Sequence, residues 1–208
     1  MVTNVLIVED DLMARTLFEI YLENSENYRI AAAIESAATA ELYCLSNQVD
    51  LIVMDVCTAL QASGLDAAAK IKKNYPGIKI IIATGQPECD FINRAKAAGI
   101  ESFWYKEPSR EGFLSVLDRT MQGETVYPEI SPQLKIGEAF SREFTELELK
   151  ILRELTSGDT DEEIAGHLNL SIWTVRKYVK TMLEKTGFKS RTQLAVTARE
   201  SGLVIRGY

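Results

Sequence analysis

Residues 5–11 read Val-Leu-Ile-Val-Glu-Asp-Asp, a four-residue apolar run that ends in three carboxylates. Four more short apolar runs follow: YRIAAA (28–33), LIVM (51–54), IIIA (80–83) and SFWY (102–105). Each is succeeded by a helical pattern, near residues 12–23, 37–46, 65–74, 89–98 and 109–121. Strands that are apolar along their whole length, alternating with amphipathic helices, predict a parallel sheet covered on both faces. Right-handed crossovers leave few topologies, so the expectation is an α/β doubly wound, flavodoxin-like five-stranded sheet in the order 2-1-3-4-5.

The chain has 208 residues, of which 46% are hydrophobic and 25% charged, a length that accommodates two globular domains. The three cysteines, Cys44, Cys57 and Cys89, are widely spaced and form no CxxC pair. That argues against a disulfide framework or a zinc site and fits a reducing compartment. The apolar run at the N-terminus gives way at once to acids, unlike a secretory signal. No run approaches the ~18 residues of a membrane span. The expectation is a soluble cytoplasmic protein that does not engage membranes.

Charge divides the chain more sharply than composition does. The net is −7 overall, with −6 over residues 1–121, −2 over 122–143 and +1 over 144–208. Within the last segment, residues 171–191 hold six cations against Glu184 alone. This asymmetry suggests a polyanion-binding module joined to an acidic one. We take 1–121 as the first domain, 122–143 as a linker interrupted by Pro128 and Pro132, and 144–208 as the second domain.

The second domain is punctuated as a small four-helix unit. Thr145 with Glu148, and Thr160 with Glu163, are capping boxes, and Phe144 and Leu149 are placed to staple the first of them. Gly158 and Asn169 close two helices, Ser171 starts a third, and a fourth covers roughly 191–201 before Gly202. The helix at 161–168, a tight turn and the helix from 171 make a helix-turn-helix, whose second helix enters the DNA major groove. On that helix Val175, Val179, Met182 and Leu183 share one face, while Arg176, Lys177 and Lys180 cluster about a third of a turn away.

In an open parallel sheet, ligands bind beyond the carboxyl ends of the strands where strand order reverses. Here those ends carry Glu9 and Asp10, Asp55, Thr84 and Lys106. Carboxylates gathered in one crevice call for a cation, and Mg²⁺ takes a few such oxygens at ~2.0–2.1 Å while retaining water and phosphoryl ligands. A carboxylate beside that cation can also be a nucleophile toward phosphorus. Lys106 would add positive charge and Thr84 a hydroxyl donor.

Over residues 1–121 this arrangement resembles the receiver domain of bacterial two-component response regulators. The resemblance implies that Asp55 accepts phosphate from a sensor histidine kinase. Glu9, Asp10, Asp55 and the backbone carbonyl of Cys57 would hold Mg²⁺. Thr84, Phe103 and Lys106 would act as the switch and phosphoryl-binding residues. The sequence Val56-Cys57-Thr58-Ala59 departs from the family's usual Met-Pro after the acceptor, and Gly64 arrives about one residue late.

Residues 144–204 resemble the LuxR-type helix-turn-helix domain of NarL/FixJ regulators. The match runs through Phe144-Thr145-x-x-Glu148, Glu163-Ile164-Ala165, Leu168, Ser171, Thr174-Val175-Arg176, Lys185-x-Gly187, Arg191-Thr192 and Gly202-Leu203-Val204. It implies that Ser171, Thr174, Arg176, Lys177, Lys180, Lys189 and Arg191 meet double-stranded DNA with two-fold half-sites. It also implies a homodimer formed through the last helix, with RNA polymerase as a further candidate partner. Leu147 and Tyr178 stand where the family commonly has arginine and histidine. The resulting expectation is a phosphorylation-controlled transcription regulator rather than an enzyme. Three alternatives stay open: a phosphorylation-independent pseudo-receiver, a Mg²⁺-dependent phosphatase or phosphotransfer enzyme, and a basic domain that binds a protein rather than DNA. His167, the single histidine, reads as an ordinary surface or packing residue with no second ligand near it. Trp173 reads as packing or as a minor DNA contact.

Overall fold

A computed structural model of the chain describes residues 2–23, 25–86, 90–107, 109–129 and 133–204. These form two compact units, one within residues 1–85 and 91–130 and the other within 86–90 and 131–207. In the first, strands β1 (Thr3–Val8), β2 (Tyr28–Ile34), β3 (Leu51–Met54), β4 (Lys79–Thr84) and β5 (Ser102–Tyr105) form one parallel sheet. Its order is β2-β1-β3-β4-β5, as the runs of apolar residues predict. Helices α1 (Leu12–Glu23), α2 (Ala40–Ser46), α3 (Gly64–Asn74), α4 (Asp90–Ala97) and α5 (Arg110–Met121) connect the strands and complete the unit.

The sheet register does the positioning. Val8 pairs with Met54, Met54 with Ile82, and Ile82 with Phe103, so four strands end at nearly the same level. Beneath this edge one face packs Phe18, Trp104 and Phe113, with Phe18 and Phe113 stacked at 5.0 Å. Burial of such aromatic and aliphatic surface is the main favourable term holding the strand ends in place.

Among the described residues, the segment expected to be linker is structured at both ends. Val126 forms a parallel bridge with Ser102 on the edge strand, and the Phe103 amide donates to the Val126 carbonyl at 2.8 Å. The Tyr127 hydroxyl donates to the Ile100 carbonyl at 2.8 Å. Farther on, Lys135–Ile136 pairs antiparallel with Ala139–Phe140, and Ile136 and Ala139 are buried in the core of the second unit. Prolines exclude a helix here but leave apolar residues that bury against whichever unit lies next to them.

The second unit holds α6 (Glu146–Ser157), α7 (Asp161–Leu168), α8 (Ile172–Thr186) and α9 (Arg191–Glu200). Both capping boxes form: Thr145 with Glu148 and Thr160 with Glu163 exchange backbone and side-chain bonds. Gly158 and Asn169 take the left-handed conformation, and the Ser171 hydroxyl accepts from the Thr174 amide at 3.0 Å. Caps of this kind stabilise by about 1 kcal/mol each. The core collects Leu152, Ile164, Val175, Val179, Met182 and Leu194, the faces that helical periodicity selects. Tyr178 and Leu147 pack against that core, so the two family departures are packing changes. Lys185 is structural, donating to both carboxylate oxygens of buried Glu148 at 2.9 and 2.8 Å.

The loop after Asp55 differs from a simple turn. Cys57–Thr58 pairs with Ala62–Ser63 in a small hairpin, and Leu60 and Gln61 both have positive φ. The hairpin is tied down by Ala59 N–H to the Glu35 carbonyl at 3.0 Å and by Ala37 N–H to the Thr58 hydroxyl at 2.9 Å. Gly64 follows, its amide donating to the Val56 carbonyl at 2.8 Å. A methyl group there would fall 1.8 Å from the Asp55 carbonyl oxygen. Gly64→Ala should therefore lower stability by about 2–3 kcal/mol in urea unfolding. At an unobstructed helix position the same change would stabilise, so a raised midpoint would refute this packing.

Candidate functional site

Glu9, Asp55, Thr84 and Lys106 reach one place because β1, β3, β4 and β5 end together. The Asp55 amide donates to the Val8 carbonyl and the Lys106 amide to the Thr84 carbonyl, both at 2.9 Å. These bonds extend the sheet ladder one residue past the strands and fix where the side chains leave it. Glu9 is fully buried, Asp55 and Thr84 are buried, and Asp10 is exposed. One carboxylate oxygen from each of Glu9, Asp10 and Asp55 lies within 4.8 Å of the others.

Lys106 inserts its ammonium among these acids, 2.7 Å from Glu9 Oε2 and 3.1 Å from Asp55 Oδ2. The other Asp55 oxygen accepts from the Val56 amide at 2.8 Å, and Glu9 Oε1 from the Asp11 amide at 3.2 Å. Arg15 donates to the Glu9 carbonyl and to Glu35, both at 3.1 Å. Burial, reinforced by the Asp55 charge, pushes the Glu9 carboxyl up to about 7 despite Lys106. Burial also raises Asp55, against the pull of Lys106. For Lys106, burial favours loss of the proton, but the facing Asp55 and Glu9 outweigh it and hold the ammonium above its ordinary value.

Two buried carboxylates thus share one ammonium with exposed Asp10 close by, and burial, more than the crowding of negative charge, is what raises Glu9 and Asp55. The donor set is hard oxygen throughout, suited to a divalent cation such as Mg²⁺. Glu9, Asp10 and Asp55 therefore fit such an ion. Cys57 lies two residues beyond Asp55 and is half-buried rather than sealed beside the acids. Phe103 is buried on β5, edge-on to Tyr105 at 5.2 Å and stacked on Tyr127 at 6.4 Å. Cys89 lies outside the described residues.

In the second unit, α8 presents Arg176, Lys177 and Lys180 to solvent opposite its buried face. Sequence reasoning missed their acidic neighbours. Arg176 pairs with Asp161 at 3.0 Å and Glu162 at 3.4 Å, and Arg191 pairs with Asp161 at 2.8 Å. Lys180 lies 3.6 Å from Glu184. The signal was present in the Asp-Glu pair after Thr160, but it serves equally as ordinary first-turn helix charge. Lys189 is exposed in the turn between α8 and α9. Trp173 is 71% exposed, which rules out the packing role.

His167 is an exposed surface residue, as its sequence context suggests, but the expected lack of a second ligand near it does not hold. Its Nδ1 lies 2.8 Å from Glu154 and 3.4 Å from Asp159, so acidic neighbours are at hand. The hydrogen bond to Glu154 raises the imidazole above its ordinary value, the behaviour of an exposed ion pair.

Comparison with known proteins decides the family. Residues 5–118 match the response regulator receiver domain, and residues 142–198 match the bacterial regulatory proteins of the luxR family. The chain is a response regulator. It belongs to the NarL/FixJ type, a two-component transcription regulator with a receiver and a LuxR-type DNA-binding domain. The response regulator protein VraR of Staphylococcus epidermidis is 29% identical over 210 residues, spanning 98% of this chain and 100% of that one. A structure of two RcsB dimers bound to two parallel DNAs has 19% identity and a TM-score of 0.63, covering 95% of this chain and 98% of the other. RcsB of Salmonella enterica serovar Typhimurium, bound to promoter rprA with the phosphomimetic BeF3−, gives 20% identity and a TM-score of 0.61. That match covers 95% of this chain and 98% of that one. These structures share the fold of this regulator, strand order included. None of the described helices is long and apolar enough to cross a membrane.

The Glu9 shift sets a pH dependence. Below 4.5, the ordinary value, folded and unfolded chains both carry the proton. Between 4.5 and about 7 the unfolded chain loses it while the folded chain keeps it, so folding weakens as pH rises through that window. Under chelator, wild-type stability measured by thermal melting should fall from pH 4.5 to 7 relative to Glu9→Gln. Parallel melting curves for the two proteins would show that Glu9 is not strained by ionisation.

Proposed function

We propose that Asp55 is the phosphoacceptor of this regulator and that its phosphorylation controls DNA binding. The observation that supports this most is the surplus of carboxylates around a single ammonium at the strand ends. An Asp55 oxygen attacks the phosphorus of a kinase phosphohistidine, the P–N bond breaks, the imidazole leaves, and an acyl phosphate remains on Asp55. Mg²⁺, held by Glu9, Asp10, Asp55 and the Cys57 carbonyl, would neutralise phosphoryl charge during the transfer. Lys106 then exchanges a carboxylate partner for a phosphoryl oxygen, and the Thr84 hydroxyl donates to another. Phe103 follows that local change as the second part of the switch. Self-phosphorylation and hydrolysis at Asp55 are the only chemistry assigned to the chain.

The division of labour follows the sequence segments, with 1–121 receiving phosphate, 122–143 joining, and 144–208 binding DNA. The structured ends of the joint are assigned to the domains they pack into. Arg176, Lys177 and Lys180 meet bases or the phosphates that flank them, while Ser171, Thr174, Lys189 and Arg191 hold the backbone farther along. Phosphorylation shifts the population toward a homodimer through the last helix, whose exposed surface includes Val196, and the dimer reads two-fold half-sites.

Two experiments bear on this reading. With Mg²⁺ and beryllium fluoride, sedimentation should show wild type moving from monomer to dimer while Asp55→Asn stays monomeric. Undiminished regulation by Asp55→Asn would instead favour a pseudo-receiver. Lys180→Ala should weaken DNA binding and reduce the slope of log affinity against log salt by about 1. An unchanged slope would remove Lys180 from the interface.

A further inference from the structure

Trp173 occupies the second residue of α8 and is 71% exposed, the third most exposed of the large hydrophobic side chains described. Exposing an indole to water forgoes the burial that ordinarily stabilises so large an apolar group. Its place on the helix is the informative point. At ~100° per residue, Arg176, Lys177 and Lys180 all lie within about 60° of it, so Trp173 sits in the middle of the cationic stripe. Two of the stripe's cations face carboxylates, Arg176 at Asp161 and Lys180 at Glu184. Lys177 instead places its ammonium 5.6 Å from the centroid of the indole ring. Beside it, Ser171 and Thr174 close the helix start through a 2.8 Å hydroxyl contact.

We infer that Trp173 is a specificity-determining residue that makes an apolar contact with a thymine methyl group in the major groove. This inference rests on the proposed DNA-binding role of α8. The partner is fixed by the surroundings. A large apolar group ringed by cations suits a surface that is anionic overall and locally apolar. In the major groove that combination is phosphate flanking the C5-methyl of thymine. The cation on one face of the ring leaves the remainder of the indole for the base edge. Phosphate contacts position the helix without reading sequence, and the three cations supply them. The indole adds a contact that depends on the base.

The test uses the full-length chain with Mg²⁺ and beryllium fluoride and a random duplex library of roughly 30 base pairs, about three helical turns. A duplex enriched by wild type becomes the probe for wild type, Trp173→Ala and Trp173→Phe. Trp173→Ala should bind it about tenfold more weakly with an unchanged salt slope, because an indole neutralises no phosphate. Trp173→Phe should recover part of the loss. Replacing thymidine by deoxyuridine in the probe should weaken wild type and leave Trp173→Ala nearly unaffected. Equal binding by wild type and Trp173→Ala would overturn the inference. So would a shallower salt slope in Trp173→Ala, which would make the indole a support for Lys177, or an equal uracil penalty in both proteins. If wild type enriches no duplex, the DNA-binding reading falls first and this one with it.

Discussion

One ammonium among three carboxylates is the constraint on which the receiver depends. Lys106 lies close to both Glu9 and Asp55, and those contacts require β1, β3, β4 and β5 to end at the same level. The apolar packing of the sheet supplies that alignment, and the charge cluster draws against it, because burial leaves Glu9 and Asp55 reluctant to ionise. On the proposed reading, a cation or a phosphoryl group would relieve that strain, which gives the site a reason to respond to either. The hydrophobic core therefore supports a local arrangement that would not form by itself.

The helical unit solves a different problem with the same economy of parts. Its core faces are apolar, its helix ends are capped, and its charges are left to face solvent or one another. Arg176 and Arg191 converge on Asp161, so two side chains proposed to meet DNA already have an anionic partner within the domain. On that proposal DNA phosphate would have to displace or share the carboxylate, which would lower the gain per contact and sharpen its dependence on geometry. Acidic residues beside a DNA-binding surface thus act as competitors that weaken indiscriminate binding to any polyanion.

The fold was legible in the sequence because its signals are local. Strands such as residues 5–8 and 51–54 are apolar along their whole length, and Thr145, Thr160, Ser171, Gly158 and Asn169 mark helix ends by their own chemistry. The convergence of Glu9, Asp10, Asp55 and Lys106 was legible because topology, not contact, brings strand ends together. What stayed hidden depends on partners distant in sequence. The burial of Val126 against the sheet edge and of Ile136 and Ala139 in the helical core carries no periodic signature in so short a stretch. The pairing of Asp161 with Arg176 and Arg191, and of His167 with Glu154, likewise needs the tertiary fold to exist before it can be read. The hairpin after Asp55 was visible only as a departure, because Leu60 is an unusual residue at positive φ.

The two structured ends of the joining segment bear on how such a chain can be assembled by gene recombination. Tyr127 is fastened to Ile100, and the Leu134 amide is fastened to Ser141. A crossover between codons 128 and 133 would hand each module on with its edge bridge or its hairpin intact. A crossover at 121 would strip the receiver of Val126, and one at 143 would remove Ile136 and Ala139 from the helical core. The interval where exchange leaves both interiors closed is only a few codons wide, so modular inheritance of receiver and effector hangs on a narrow seam.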